Sequence, residues 1–413
     1  MVQAERLWRR LQEVGEIGRD PQGGVTRLSY TCDEWATKER VRYWMQQAGL
    51  VTWEDAVGNL FGRREGTDST APVLWLGSHL DSVPHGGNFD GPLGVLAAIE
   101  VVQSMAEAGV QTRHPIEVVA FQDEEGTRFG FGMIGSRAVA GRLTQEDLES
   151  HRDAQGRTLG WAMQAYGVDP TKVDQAVRRP EEVLAYLELH IEQGRVLESE
   201  GSPVGIVSGI AGPLWLHITF RGTIEHAGTT PMSLRRDALA AAAEAMTVME
   251  RVARDVPGCV ATVGKLTVQP GGINVIPGAV DLTLDLRHAK ESIRNQAEQR
   301  ILEQVEHLCQ RRKVNWTVET LQRIAPVSCS PSLRTILHQS GRELAIKCVD
   351  LPSGAGHDGM QLVDMCPVGM IFVPSKDGIS HQPEEWTSPA DCAMGAKMLY
   401  QAAIHLAQEG IAQ

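Results

Sequence analysis

Two apolar runs about forty residues apart each end in a cluster of imidazole and carboxylate groups, and no other property of the chain narrows its fold as much. The first, Val73-Leu74-Trp75-Leu76, runs into Gly77-Ser78-His79-Leu80-Asp81-Ser82-Val83 and on to Gly86-Gly87-Asn88-Phe89-Asp90-Gly91. The second, Ile116-Glu117-Val118-Val119-Ala120-Phe121, runs into Gln122-Asp123-Glu124-Glu125-Gly126. Short continuous apolar runs are what strands buried on both faces show. The stretch from Gly94 to Ala108 between them reads as a helix. Strand, helix, strand in that order implies a right-handed crossover and a parallel pair. An open α/β sheet of this kind collects its chemistry at the carboxyl ends of its strands.

The rest of the chain extends the pattern. Helical periodicity opens it at Leu7, Leu11 and Val14, and a second helix from Trp35 to Ala48 ends at Gly49. Strands are expected at Val51–Trp53 and Asn59–Arg63, polar helix from Gln145 to Val168, and a further sheet strand from Val183 to His190. Beyond Gly212 the character changes. Strands at Leu214–Phe220, Ala261–Val268, Val280–Arg287 and Asn315–Leu321 alternate with helices at Arg235–Ala253 and Ser292–Arg311. The order β-α-β-β-α-β is that of a ferredoxin-like module. After Pro326 the α/β pattern returns, with a helix over 331–342 and strands at Ile346–Val349 and Val368–Val373. The simplest parse is a discontinuous catalytic domain, residues 1–212 and 327–413, interrupted by a smaller domain at residues 213–326. A chain of 413 residues is long enough for two cores.

Composition excludes several classes. The formal charge is -13 and the basic clusters, such as Arg311-Arg312-Lys313, are short, so nucleic acid is not an expected partner. No apolar run reaches the roughly 18 residues of a spanning helix, and the first residues lead straight into an amphipathic pattern with no signal-like apolar segment. A cytoplasmic protein with no membrane partner is expected. The seven cysteines are odd in number and contain no Cys-x-x-Cys pair, which argues against a disulfide framework and a thiolate zinc site.

If a metal is present, oxygen and imidazole must hold it. His79, Asp90, Glu125, His190 and His381 each lie at or just past a predicted strand end. Any one of these histidines alone reads as an ordinary hydrogen-bonded polar group. Jointly, with Gly77, Gly86, Gly87, Gly91 and Gly126 beside them, they suit two divalent ions bridged by a carboxylate. Asp81, two residues after His79, is placed to orient that ring. Glu124 and Glu125 are adjacent and face opposite ways in extended chain. One can bind metal while the other moves the proton of an activated water; spacing leaves open which.

These motifs resemble the dinuclear-metal amidohydrolases of the M20 peptidase superfamily, and within it the branch of N-carbamoyl-L-amino-acid hydrolases, ureidopropionases and allantoate amidohydrolases. The likeness spans the chain. Gly77–Val83, Gly87–Gly91 and Asp123–Gly126 are similar to the metal and base motifs, and Glu188-Leu189-His190-Ile191-Glu192-Gln193-Gly194 is similar to a segment specific to the carbamoyl-cleaving branch. The resemblance implies a mixed, largely parallel central sheet with helices on both faces and an inserted ferredoxin-like domain. It implies that His79 and His190 hold one ion and Glu125 and His381 the other, with Asp90 bridging, Glu124 as base and acid, and Asp81 as orienter. Two divalent ions per subunit are expected, Zn, Mn, Co or Ni.

Within the inserted domain, Glu225-His226-Ala227-Gly228-Thr229-Thr230-Pro231-Met232 is similar to the segment whose histidine polarises the substrate carbonyl. The resemblance adds Asn274 and Arg287 as substrate ligands, Arg287 for the carboxylate, together with Gln193, Gly356 and His357. The implied reaction is hydrolysis of an N-carbamoyl-L-amino acid, a carboxylate-bearing ureido compound, with allantoate or ureidopropionase-type activity as alternatives. A homodimer through the inserted domain is implied as well.

Overall fold

In chain order the strands are β1 (Val51–Glu54), β2 (Leu60–Arg64), β3 (Val73–His79), β4 (Ile116–Phe121), β5 (Val183–Ile191), β6 (Val204–Ile210), β7 (Gly212–Arg221), β8 (Glu225–His226), β9 (Val260–Gln269), β10 (Val275–Ile276), β11 (Ala279–His288), β12 (Asn315–Arg323), β13 (Val327–Ser328), β14 (Cys348–Ser353) and β15 (Val368–Val373). The computed structural model describes residues 1–411. It divides into two compact units: Met1–Ser208, Cys329–Leu351 and the chain from His357 on, and Gly209–Ser328 with Pro352–Gly356.

The sheet of the first unit runs β1-β2-β4-β3-β5-β15-β6. Its middle four strands, β4, β3, β5 and β15, are mutually parallel. The outer ones are antiparallel, β1 and β2 on one side and β6 on the other. Every residue of β3 and β4 is buried, as expected of strands covered on both faces. The helix Pro92–Glu107 makes the β3 to β4 crossover, with proline at its first position. Its Leu96, Ile99, Val102 and Met105 pack with Leu7 and Leu11 of Ala4–Gly15 and with Leu399 and Leu406 of Pro389–Glu409. The other face of the sheet buries Phe61, Trp75, Phe121, Tyr186 and Leu362. Each such side chain contributes roughly 1.5–3 kcal/mol on burial. Trp75 adds a polar anchor: its Nε1 donates to Glu117 Oε2 at 2.7 Å, while Glu117 Oε1 accepts from Arg63 at 2.9 Å.

Some boundaries differ from the sequence pattern. The helix expected from Gln145 to Val168 is two helices, Gln145–Ser150 and Leu159–Tyr166. Asp153 breaks it by accepting from the backbone N–H groups of Gln155 and Arg157 at 3.0 and 2.9 Å. The strand expected at Ile346–Val349 starts at Cys348 instead. Ile346 N–H closes the preceding helix by donating to Gly341 at 2.8 Å, with Ala345 left-handed at φ +52.

The second unit has the antiparallel sheet β12-β7-β11-β9. With helices Ala238–Asp255 and Glu291–Arg312 between strands, this is the ferredoxin-like arrangement. Leu214, Leu216, Ile218 and Phe220 of β7 alternate inward with Val280, Leu282, Leu284 and Leu286 of β11, meeting Ala241, Ala245, Ile301 and Val305 of the helices. The first helix begins at Ala238 rather than Arg235 because the Asp237 carboxylate caps it, accepting from Ala240 N–H at 2.9 Å. Outside the main sheet, β8 pairs with β10, setting His226 opposite Val275. All seven cysteines are free thiols. Among the described residues, no helix is long and apolar enough to cross a membrane.

Candidate metal centre

The four parallel strands converge at their carboxyl ends. His79 ends β3, His190 is next to last in β5, Glu124 and Glu125 follow β4, and the loop after β15 carries His381. Asp90, two residues ahead of the crossover helix, reaches the same place. His79 Nε2 and His190 Nε2 stand 3.4 and 3.1 Å from Asp90 Oδ1. His381 Nε2 stands 3.3 Å from Asp90 Oδ2 and 3.6 Å from Glu125 Oε2. Two groups of donors able to hold a cation result, His79 with Asp90 and His190, and Asp90 with Glu125 and His381. Asp90 belongs to both. His79, Asp90 and His190 are buried, Glu125 is half-buried and His381 is exposed.

The two buried rings are presented in one tautomer. His79 Nδ1 lies 3.2 Å from the Asp81 carbonyl and His190 Nδ1 2.9 Å from the Ile191 carbonyl. A carbonyl only accepts, so each Nδ1 carries a hydrogen, and in the neutral form of the ring, the one that can bind a metal, Nε2 then holds the lone pair. Both Nε2 atoms are buried without a hydrogen-bond partner. Orphaned buried lone pairs are costly, and a divalent cation beside Asp90 satisfies both. The donor set fits two such ions, and mixed imidazole and carboxylate ligands accommodate Zn, Mn, Co or Ni.

The charges agree. Burial pushes the Glu124 carboxyl well above its usual range, and Glu125, Asp358 and Asp81 reinforce the shift against His79. Burial, then Asp90, raises Glu125 to about 8. Burial also works against Asp90, but His190, His381 and His79 outweigh it and hold this carboxyl well below its usual range. Asp90 in turn raises His381 to about 9. For His79, burial is outweighed by Asp81 and Asp90, and the ring is held well above its ordinary value. Carboxylates are crowded here beyond what the histidines neutralise, which is the field a cation relieves.

Asp81 acts on two neighbours. Its carboxylate is 3.5 Å from His79 Nδ1, farther than its own carbonyl, and accepts the backbone N–H groups of Glu124 and Glu125 at 3.2 Å each. It therefore fixes the turn that presents the glutamate pair. Asp123, in the same turn, takes φ +52.

The model of peptidase family M20/M25/M40 matches residues 75–405. The chain belongs to this family. It is 56% identical over 408 residues to the N-carbamoyl-L-amino acid amidohydrolase of Geobacillus stearothermophilus, covering 99% of this chain and 100% of that protein. The crystal structure of an amidase of the hydantoinase/carbamoylase family from Burkholderia multivorans superposes with a TM-score of 0.94 at 37% identity, covering 99% of both chains. That of AtUAH in complex with glyoxylate gives 0.79 at 34% identity, covering 98% of both.

The remaining expected residues of this M20 family chain fall into two groups. In the first unit, Gln193 takes φ +57 and its Nε2 donates to Asp90 Oδ2 at 2.6 Å, while its Oε1 is buried without a partner. His357 is buried with its ring 4.6 Å from that of His190; burial, with His190 adding, holds it well below its ordinary value and keeps it neutral. In the second unit, His226 is exposed and its Nδ1 accepts from Gly228 N–H at 3.0 Å. Nε2 therefore carries the hydrogen and can donate. Asn274 is exposed, and its carbonyl accepts from Ala227 N–H at 2.9 Å. Arg287 is held by Asp285 through Nε and Nη2, and by the Gly354 carbonyl through Nη1 at 2.8 Å. Two of its five N–H groups remain for a ligand. Gly356 lies in the same Pro352–Gly356 segment, half-buried.

Sequence reasoning missed three residues. Glu188 lies two before His190, on the same face of β5, and forms a further donor group with His190 and His357; its Oε1 accepts from Ser78 at 2.7 Å. The period of two along the strand was a usable signal. Ser380 and Glu385 flank His381, and both reach the Asp90 loop.

Proposed function

We propose that this chain hydrolyses the carbamoyl group of N-carbamoyl-L-amino acids, releasing the free L-amino acid, carbon dioxide and ammonia. The observation that carries the reading is the carboxylate of Asp90 shared by two donor groups, with Glu124 Oε2 3.9 Å from His79 Nε2 and in neither group. In this reading His79, Asp90 and His190 hold one ion, and Asp90, Glu125 and His381 the other. When bound, the ions supply Lewis acidity toward the ureido carbonyl and make water a better nucleophile at neutral pH.

Glu124 takes the proton of the attacking water and returns it to the departing nitrogen. Its environment suits the task, because burial raises its pKa above the usual carboxyl range and so makes it a stronger proton acceptor than a free carboxylate. His226 donates its Nε2–H to the oxygen that becomes negative. Arg287 offers its two remaining N–H groups to the α-carboxylate, and Asn274, Gln193, Gly356 and His357 line the substrate. Asp81 keeps His79 and the glutamate pair in register. Residues 1–212 and 327–413 form the catalytic domain of this reading. Residues 213–326 are a lid and dimerisation domain of a cytoplasmic homodimer.

Allantoate and N-carbamoyl-β-alanine are the competing substrates. The test is ammonia release by metal-supplemented protein from N-carbamoyl-L- and D-amino acids, N-carbamoyl-β-alanine and allantoate. The expected result is preference for N-carbamoyl-L-amino acids; faster turnover of allantoate than of that whole series refutes the reading.

A further inference from the structure

Glu385 follows His381 by four residues and is 4% exposed in a loop that is otherwise largely open. Its Oε1 accepts the backbone N–H groups of Phe89 and Asp90 at 2.9 and 3.1 Å, and its Oε2 accepts the hydroxyl of Ser380 at 2.8 Å. One carboxylate thus ties the loop that carries Asp90 to the loop that carries His381. The Asp90 loop is shaped around it: a Cβ on residue 87 would lie 2.0 Å from Glu385 Oε1, so only glycine leaves room. Charge-assisted bonds to backbone N–H groups are among the stronger ones a buried carboxylate makes.

Ser380 is the informative neighbour. Its oxygen lies 2.8 Å from Glu385 Oε2 and 3.0 Å from Asp90 Oδ2, and a hydroxyl has one hydrogen to donate. The Asp90 oxygen also faces Gln193 Nε2 at 2.6 Å and His381 Nε2 at 3.3 Å. A cation on Asp90 Oδ2 disfavours a hydrogen pointed at the same oxygen. The Ser380 hydroxyl then turns to Glu385 and completes the tie between the loops.

We propose that Glu385 and Ser380 are positioning residues for the ion held by Asp90, Glu125 and His381, linking its binding to the closure of the two loops through the direction of one hydroxyl. The proposal rests on the reading of Asp90 as shared by two ions. Neither side chain touches substrate in it. Glu385→Gln isolates the device: the amide oxygen still accepts from Phe89 and Asp90, but the amide nitrogen donates to Ser380. Ser380 is left to point its hydrogen at Asp90 Oδ2, in competition with the cation.

The test is titration of the metal-free full chain with Mn²⁺ by calorimetry, for wild type, E385Q, S380A and the double variant. Wild type should bind two ions. E385Q should bind the second about 10–100-fold more weakly, the usual range for a residue that orients a ligand, with the first ion little changed. At saturating Mn²⁺ its kcat and KM should return to near wild type, which a merely misfolded variant does not do. In the S380A background the effect of E385Q should largely vanish. Wild type binding fewer than two ions overturns the shared-carboxylate reading itself. Two ions in wild type and unchanged affinities in E385Q overturn the positioning role alone, and an equal loss in both backgrounds overturns the hydroxyl route. Should E385Q fail to fold, hydrogen exchange decides. Mn²⁺ should protect the Phe89 and Asp90 amides more in wild type than in S380A, and equal protection in the two overturns the proposal.

Discussion

Gly91→Ala should damage the fold and the metal centre together, for two separable reasons. Gly91 has φ 82 and ψ -62, a region strained for any residue with a Cβ. Holding alanine there costs about 1–3 kcal/mol. The added Cβ would lie 2.5 Å from both Cε1 and Nδ1 of His79 and 2.7 Å from its Nε2. The ring has nowhere to retreat, since it is 1% exposed and its Nδ1 is bonded to the Asp81 carbonyl. Forcing one methyl into such a packed site costs about another 1–3 kcal/mol. The sum, about 2–6 kcal/mol, is a large part of the roughly 5–15 kcal/mol that holds a typical domain. Urea unfolding of metal-free wild type and variant reads the first effect. Mn²⁺ titration reads the second, with the ion assigned to His79 weakened by about ten-fold or more. A variant within about 0.5 kcal/mol of wild type, binding both ions normally, refutes the account of this turn.

Three further outcomes are expected. Glu124→Gln keeps the shape and removes the proton acceptor, so turnover of N-carbamoyl-L-methionine should fall about 10²–10⁴-fold; metal analysis should still find two ions per chain. Arg287→Ala should lower kcat/KM about 10- to 100-fold for substrates with a free carboxylate, the equivalent of about 1.5–3 kcal/mol. Steady-state kinetics on the matching carboxamide should show little change. Trp75→Ala removes a fully buried ring and a donor to Glu117, and should cost about 3–5 kcal/mol in urea unfolding, with the Arg63 to Glu117 bond remaining.

What could be read without coordinates follows from the range of the forces involved. Buried strands announce themselves as continuous apolar runs, so the ends at His79 and Glu125 were visible; the alternating stretch from Val183 to His190 gave a third strand end, and with it the line of convergence. The alternating pattern of β7 and β11 likewise displayed the one-sided sheet of the second unit. Helix ends were less legible, because the Asp237 cap and the turn at Asp153 depend on single side chains competing for backbone groups. Glu385 was invisible for a different reason. Its partners Phe89 and Asp90 lie 296 and 295 residues away along the chain, and nothing local distinguishes it from its exposed neighbour Glu384. The only trace was the glycine pair at Gly86-Gly87, whose second member makes room for a carboxylate from the far end of the sequence. Asp81 was legible in type but not in full. Its spacing from His79 suggested a ring partner, whereas its carboxylate also anchors the backbone of Glu124 and Glu125.

The central claim is that two ions sharing Asp90 drive hydrolysis of a ureido bond. Ammonia release from N-carbamoyl-L-methionine, followed while metal-free protein is titrated with Mn²⁺, tests it most directly. The account predicts no turnover without metal and a plateau at two ions bound per chain. Full turnover with no metal, or a plateau at a single ion, contradicts it.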